Sequence, residues 1–336
     1  MTRDTITAIM PAFRAAHLLQ KTLTPLLDMR ARGEIDEVLV VDDCSPDDTA
    51  EVARRMGATV MVTPRNGGPG LARNHAAAVA EGDILWFVDS DVIAQPGGPA
   101  AIRDALSEPG AVAVFGSYDD KPEGQHWFSR YKNLLHRYHH LNARREARTF
   151  WAGCGAVRKD AFLAIGGFDV ETYRRPSIED IELGYRLNEA GGRILVEPRL
   201  EGKHLKVWTM SDSLRTDIWF RALPWARLMV CREGMADDLN TGRAERLRAL
   251  VALFFALSIL ALPFFPFAWP LVPALAALAV AVNWPLARYL HGHGGIALAA
   301  RALLYHQFYY LYSASIYVWC VVEANILGRR DRFHVH

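Results

Sequence analysis

Short apolar runs and longer amphipathic stretches take turns along the first 210 residues. Thr5 to Met10, Glu37 to Val41, Thr59 to Thr63 and Ile84 to Val88 are mainly apolar and too short for stable helices. Helical spacing follows Phe13, follows Ser45 and begins again at Pro69. Runs of the first kind predict strands and those of the second predict helices. Their alternation predicts an α/β fold, a mostly parallel sheet with helices on both faces. Local chemistry predicts some of the joints. Ser45-Pro46-Asp47-Asp48 reads as a helix start, with Ser45 as N-cap, Pro46 in the first turn and Asp48 closing a capping box. Asn66-Gly67-Gly68-Pro69-Gly70 reads as a loop leading into a helix. Ser177-Ile178-Glu179-Asp180 fits a second capping box, and Glu182 with Arg186 adds an i, i+4 pair behind it. A further strand is expected at Ile194 to Val196, ended by a turn at Pro198.

Beyond residue 210 the pattern changes. Trp127, Tyr131, Leu134, Leu135, Tyr138 and Leu141 already recur at helical spacing among Lys132, Arg137, Arg144, Arg145 and Arg148. Leu214, Ile218, Trp219 and Trp225, with Arg215, Arg221 and Arg227, repeat that mixture. Basic, aromatic and amphipathic segments suit an anionic membrane surface, and they suit a packed helix equally. Ala249 to Ala287 contains no Asp, Glu, Lys or Arg. As one helix that run would extend roughly 58 Å at about 1.5 Å per residue, too long for one crossing of a hydrocarbon core of about 30 Å. Pro263, Pro266, Pro270 and Pro273 interrupt it, so two membrane helices are expected, near 248–267 and 270–286. Ala302 to Val322 is a third apolar segment, carrying His306, Gln307 and a crowd of tyrosines of the kind that favour membrane interfaces. Arg243, Arg246 and Arg248 before the hairpin, Arg288 and Arg301 after it, and Arg329, Arg330 and Arg332 near the end favour a third helix lying in the interface or entering the membrane only partly. The expected organisation is an α/β domain over 1–210, amphipathic helices and linker over 211–247, a membrane hairpin over 248–286 and a third membrane or interfacial helix over 300–327.

Composition narrows the class. A formal net charge of +1 provides no pull toward nucleic acid. Cys44, Cys154, Cys231 and Cys320 form no C-x-x-C pair, as in a reducing compartment, and argue against zinc. Met1 to Gln20 lacks the features of a secretory signal, so the large domain is expected on the cytoplasmic side of an inner or plasma membrane.

Candidate chemistry gathers at the ends of the predicted strands, where α/β sheets bind ligands. Asp89-Ser90-Asp91 follows Ile84 to Val88. Two carboxylates so spaced can meet one hard cation, Mg2+ or Mn2+, that keeps positions open for the phosphates of a nucleotide. Alone, the pair also fits two solvated turn residues. Asp42 and Asp43 end the second strand, where adjacent carboxylates repel unless donors, such as a nucleobase N–H, or a cation meet them. The glycine-rich loop matches neither G-x-G-x-x-G nor a P-loop, which disfavours a dinucleotide oxidoreductase and a P-loop nucleotidase.

Pro11-Ala12-Phe13, Val40-Val41-Asp42-Asp43-Cys44-Ser45 to Asp48-Thr49, Gly70-Leu71-Ala72-Arg73-Asn74, Asp89-Ser90-Asp91, Gly166-Gly167-Phe168-Asp169 and Glu179-Asp180 together resemble glycosyltransferase family 2. The resemblance implies a GT-A fold, a nucleotide-sugar donor, a divalent cation and inversion at the anomeric carbon. Position by position, it implies that Pro11, Ala12 and Phe13 line base and ribose, and that Asp42 or Asp43 bonds the base. Arg73 would lie near the nucleotide, Asp91 would ligate the metal, Asp89 would hold ribose or metal, and His204 would be a distal metal or phosphate contact. Asp180 would be the general base, placed across the sugar from the leaving group. Phe150 to Ala156 would pass beside the donor sugar and acceptor. Arg221-Ala222-Leu223-Pro224-Trp225 departs from the Gln-x-x-Arg-Trp signature of processive polymerases, which disfavours a polysaccharide synthase.

The basic aromatic stretches and the hairpin point to a lipid acceptor. A polyprenyl phosphate is already ionised near neutral pH, whereas a lipid or lipid-linked hydroxyl needs a base, so Glu179-Asp180 favours the hydroxyl. The expected activity is transfer from a nucleotide-sugar, UDP-linked by expectation. The alternatives are a polyprenyl-phosphate glycosyltransferase and a non-catalytic membrane scaffold with a degenerate transferase domain.

Overall fold

The alternating pattern becomes strands and helices in the computed structural model, which describes residues 3–232, 241–330 and 333. In chain order the elements are β1 (Ile6–Ala12), α1 (Leu19–Ala31), β2 (Glu37–Asp42), α2 (Thr49–Arg55), β3 (Thr59–Val62), α3 (Gly68–Val79), β4 (Ile84–Val88), β5 (Val92–Ala94), α4 (Gly98–Leu106), β6 (Ala111–Tyr118), α5 (Trp127–Leu141), β7 (Glu146–Ala147), β8 (Cys154–Arg158), α6 (Lys159–Ala164), α7 (Glu179–Glu189) and β9 (Arg193–His204). Then come α8 (Met210–Arg215), a π-helical stretch Thr216–Ala222, α9 (Leu223–Cys231), α10 (Arg243–Ala261), a 3-10 turn Pro266–Ala268, α11 (Leu271–Val282) and α12 (Trp284–Asn325). The chain divides into two compact units. One holds residues 1–123 and 139–207; the other is drawn from 124–138 and 208–334.

In the first unit the strands form one sheet in the order β3-β2-β1-β4-β8-β6-β9-β5, with β7 on β9. It is parallel from β3 to β4 and mixed beyond, where β8 runs antiparallel to β4 and β6, and β6 runs parallel to β9. The continuous apolar character of β4 follows from its central place. Ile84, Trp86 and Val88 enter one core and Leu85 and Phe87 the other, and all five are fully buried. Side chains alternate across a strand, so a strand covered on both faces can have no polar register. Full burial of each of the larger side chains contributes about 2–3 kcal/mol.

Three joints differ from the sequence expectation. Helix α2 begins at Thr49, not near Pro46, because Ser45 Oγ accepts the N–H of Arg14 instead of capping, and Thr49 Oγ1 accepts those of Ala15 and Ala16. Helix α7 begins at Glu179 with Ile178, not Ser177, at the N-cap position; the Ser177 N–H donates to Glu179 Oε2 at 2.8 Å. Strand β9 runs on past Pro198 to His204. A bulge against β6 absorbs the proline, since Phe115 pairs with Val196 and Ser117 already with Glu201.

The second unit is helical. The apolar face of its part of α5 is interior, not a surface: Phe128, Tyr131, Leu134 and Leu135 are buried with Trp208, Leu286, Leu290 and Ala302. Lys132 there pairs with Asp217 at 2.7 Å, and Asp217 also accepts hydrogen bonds from Ser213 and Tyr312. The expected membrane hairpin is shorter than its charge-free run. Pro263 and Pro266 end α10 early, and α11 spans 12 residues, about 18 Å of helix. Among the described residues no single helix is long and apolar enough to cross a membrane. One bent pair, Pro266–Val282 with Trp284–Asn325 at 72°, meets the length and composition together. α12 is two helices meeting at a break at Gly294 and Gly295, and Ala302 to Val322 lies in the second of them; Gly295, at φ 71°, adopts the left-handed conformation that glycine tolerates. Arg332 lies outside the described residues.

Candidate active site

The carboxyl ends of the central strands and the start of α7 assemble one polar cluster in the first unit. Asp89 leaves β4 and Asp91 precedes β5. The Asp89 N–H donates to Gly153 O and its carbonyl accepts the Val92 N–H, while the Asp91 carbonyl accepts the Leu205 N–H at 2.8 Å. These backbone bonds close the acidic turn and tie it to the segment entering β8 and to the end of β9.

The two carboxylates then meet different partners. Arg73, on α3, donates from Nη2 to Asp89 Oδ1 at 2.5 Å, and its Nη1 lies 3.8 Å from Glu179 Oε1. Its guanidinium is buried over the rings of Phe87 and Phe168, 5.8 and 5.3 Å from their centroids. Asp91 Oδ2 is 3.4 Å from His204 Nε2. The imidazole in turn stacks on Tyr118 at 4.2 Å between centroids and 5° between planes. Desolvation raises the Asp89 carboxyl above its ordinary value, helped by the negative charges of Asp91 and Asp180 and opposed by Arg73. Burial pushes Asp91 the same way, but the hydrogen bond and charge of His204, with Lys206, outweigh it and hold that carboxyl below the usual range.

Helix α7 supplies the opposite wall. Asp180 accepts the N–H of Ala152 at 3.2 Å and that of Ile181 at 2.8 Å. It is thus turned toward the segment Trp151-Ala152-Gly153 that passes Asp89. Glu179 is buried beside Arg73. Burial and the charge of Asp180 push its carboxyl up to about 7, against the pull of Arg73 and the Ser177 N–H.

The expected base-binding residues sit at neighbouring strand ends. Pro11 and Ala12 are buried at the end of β1, and Phe13 beyond them is 45 % exposed, with Arg14 over its ring at 5.3 Å. Asp42 is buried and accepts the Ser45 N–H at 3.3 Å. Asp43 is already saturated: it accepts Thr63 Oγ1 at 2.9 Å, the Gly67 N–H at 3.0 Å and the Gly68 N–H at 2.8 Å. Its carboxylate fastens the glycine-rich loop. Arg73 likewise is buried, with its guanidinium bonded to Asp89.

The expected metal trio is not gathered. Among the described residues no group of three or more His, Cys, Asp or Glu side chains could hold a metal ion. Asp89 is held by Arg73, which leaves Asp91 and His204 as an adjacent pair. One carboxylate oxygen and one imidazole nitrogen fit a divalent cation that takes its remaining ligands from diphosphate and water. Glu179 was visible beside Asp180 at a helix start but was given no role of its own, and one contributor was missed by pattern alone. Tyr118 carried no signal, since its role depends on β6 lying against β9.

Comparison with known proteins follows this geometry. Residues 7–166 match the model of glycosyl transferase family 2. The pre-mycofactocin glycosyltransferase of Mycobacterium tuberculosis is 30% identical over 203 residues, 57% of this chain and 41% of that protein. The 4,4'-diaponeurosporenoate glycosyltransferase of Staphylococcus haemolyticus is 37% identical over 97 residues, 27% of this chain and 25% of that protein. The chain thus spans less than half the length of these relatives. Among solved structures, the mannosyltransferase PcManGT from Pyrobaculum calidifontis, in complex with GDP-Man and Mn2+, superposes with a TM-score of 0.57 at 21% identity. That likeness covers 95% of this chain and 88% of that one, and it is a likeness of fold.

Proposed function

We propose, from the glycosyltransferase family 2 domain of GT-A fold that this chain carries in residues 7–166, that it is an inverting glycosyltransferase acting at a membrane. The donor is a nucleotide-sugar, UDP-linked, and the acceptor a hydroxyl of a lipid or a lipid-linked sugar. The observation that carries the reading is the convergence of three carboxylates from distant parts of the chain: Asp89 feels the charges of both Asp91 and Asp180. Mutual repulsion of this kind is costly in a fold and common in a site that handles charge.

Each residue then has a task. Asp91 and His204 would hold Mn2+ or Mg2+, which supplies positive charge against the diphosphate as it leaves. Arg73 fixes Asp89 and Glu179 in place. Asp180 takes the proton of the acceptor hydroxyl while that oxygen bonds to the anomeric carbon and the bond from that carbon to the diphosphate oxygen breaks. Phe13, exposed at the end of β1, offers an aromatic face to the base.

The second unit supports the lipid side of the reading. Leu250, Leu253, Phe254, Leu257 and Leu260 of α10 are exposed, as are Phe264, Phe267 and Trp269 around the turn that follows. Exposed apolar area of this extent suits a lipid surface, with Arg243, Arg246 and Arg288 placed to meet anionic headgroups. Relatives named for a mycofactocin precursor and for 4,4'-diaponeurosporenoate are compatible with a small or lipid-like acceptor. We place the catalytic unit on the cytoplasmic side of an inner or plasma membrane. Mass spectrometry of lipids from cells lacking and overproducing the protein tests this. A glycosylated lipid that disappears in the first and accumulates in the second is expected; unchanged lipids in both would remove the lipid acceptor.

A further inference from the structure

We infer that Tyr118 is a positioning residue for His204, holding the imidazole so that Nε2 addresses the same point in space as the Asp91 carboxylate. The inference rests on the reading of Asp91 and His204 as the cation-holding pair.

The sheet itself builds the contact. Tyr118 is the last residue of β6 and His204 the last of β9, and these strands run parallel, with Tyr118 opposite Gly202. His204 stands two residues farther on, hence on the same face as the residue opposite Tyr118. The tyrosine ring lies flat against the imidazole there. The bulge sets this register. At Gly116 the two backbones approach so closely that a Cβ would come within 1.5 Å of Leu200 O. Only glycine permits that approach.

The stack is braced from behind. Trp151 packs edge-on against Tyr118 at 4.9 Å and against His140 at 5.1 Å. His140 is anchored by Nδ1 donating to Gly116 O at 2.7 Å, and burial depresses its imidazole to about 4. It therefore stays neutral and keeps this donor geometry at ordinary pH. The near-parallel stack leaves the His204 ring little freedom to rotate about its own bond. A ring free to turn would move Nε2 away from Asp91 and lose the preset pair. Partners that orient a metal-binding histidine normally do so by a hydrogen bond, and their loss weakens metal binding roughly 10–100-fold. Here the ring face of Tyr118 contributes to that orientation.

Titration of the full chain in detergent with Mn2+ in the presence of saturating UDP, following Mn2+ by electron paramagnetic resonance against a blank of UDP alone, tests the inference without reference to turnover. Tyr118→Phe keeps the ring and should bind Mn2+ within about twofold of the unmodified protein. Tyr118→Leu should bind about 10-fold more weakly or worse, and Asp91→Asn should not bind. Tyr118→Met, which fills the space without a ring, serves if the leucine variant does not fold. Unchanged affinity in the ringless variant, with binding lost in Asp91→Asn, overturns the role of Tyr118 alone. Absence of saturable Mn2+ binding in the unmodified protein overturns the cation-holding pair and this inference with it.

Discussion

Two strand ends in this protein carry the same written sign, a pair of carboxylates after an apolar run, and use it in opposite ways. At the end of β2, Asp43 is consumed by Thr63 and the N–H groups of Gly67 and Gly68. At the end of β4, Asp89 and Asp91 meet a buried arginine and a histidine, and each feels charge from another element. The first pair holds a loop. The second concentrates charge, which is the ground for the proposed site. The difference teaches that the partners of a carboxylate, not its place after a strand, separate scaffold from chemistry: backbone donors complete an acid, while ionised side chains keep it poised.

Four experiments break or sharpen this contrast. The largest effect is expected at Asp180. Asp180→Asn should reduce sugar transfer by about 10²- to 10⁴-fold, the range of a lost general base, with nucleotide affinity near normal by calorimetry; full transfer activity would make it a structural acid like Asp43. Asp91→Asn comes next, with loss of metal-dependent turnover and little change in melting temperature. At the other strand end the signs reverse. Asp43→Asn should cost about 2–3 kcal/mol of unfolding free energy in a denaturant titration, because its amide turns a donor toward donors in a buried place. A variant as stable as the original but unable to bind nucleotide would move Asp43 into the site.

The smallest effect concerns pH. Glu179 has its proton bound more tightly in the folded protein, near 7 against 4.5 for the ordinary carboxyl. Its contribution therefore favours the folded state fully below about 4.5 and is lost as pH rises through about 7. Glu179→Gln should flatten that part of the stability profile by up to about 3 kcal/mol. A profile unchanged between the two proteins would show that Glu179 is ionised throughout, beside Arg73.

Much of the first unit was legible in advance for a physical reason. Strands covered on both faces, such as Ile84 to Val88, must be apolar throughout, and that is visible without coordinates. The acidic residues at strand ends were visible too, because they interrupt such runs. Helix starts were less legible. Ser45 had the right neighbours for a cap, but the N–H of Arg14 took its hydroxyl, and the helix after Ser177 has Ile178 at its N-cap position. The second unit was harder still. A charge-free run measures hydrophobicity but does not say where prolines end helices, nor that the aromatic face of α5 turns into a protein core.

The chain alone determined the α/β alternation, the acids at the strand ends and Asp180 near the start of a helix, since each depends on residues close together in sequence. Only the tertiary structure decided which acids are already satisfied. It joined Arg73 to Asp89 and Glu179, set Asp91 against His204 and laid Tyr118 on the imidazole. Those pairings depend on strand order and on one bulge beside Gly116, and sheet register is settled by packing across the whole unit, not by any local run of residues.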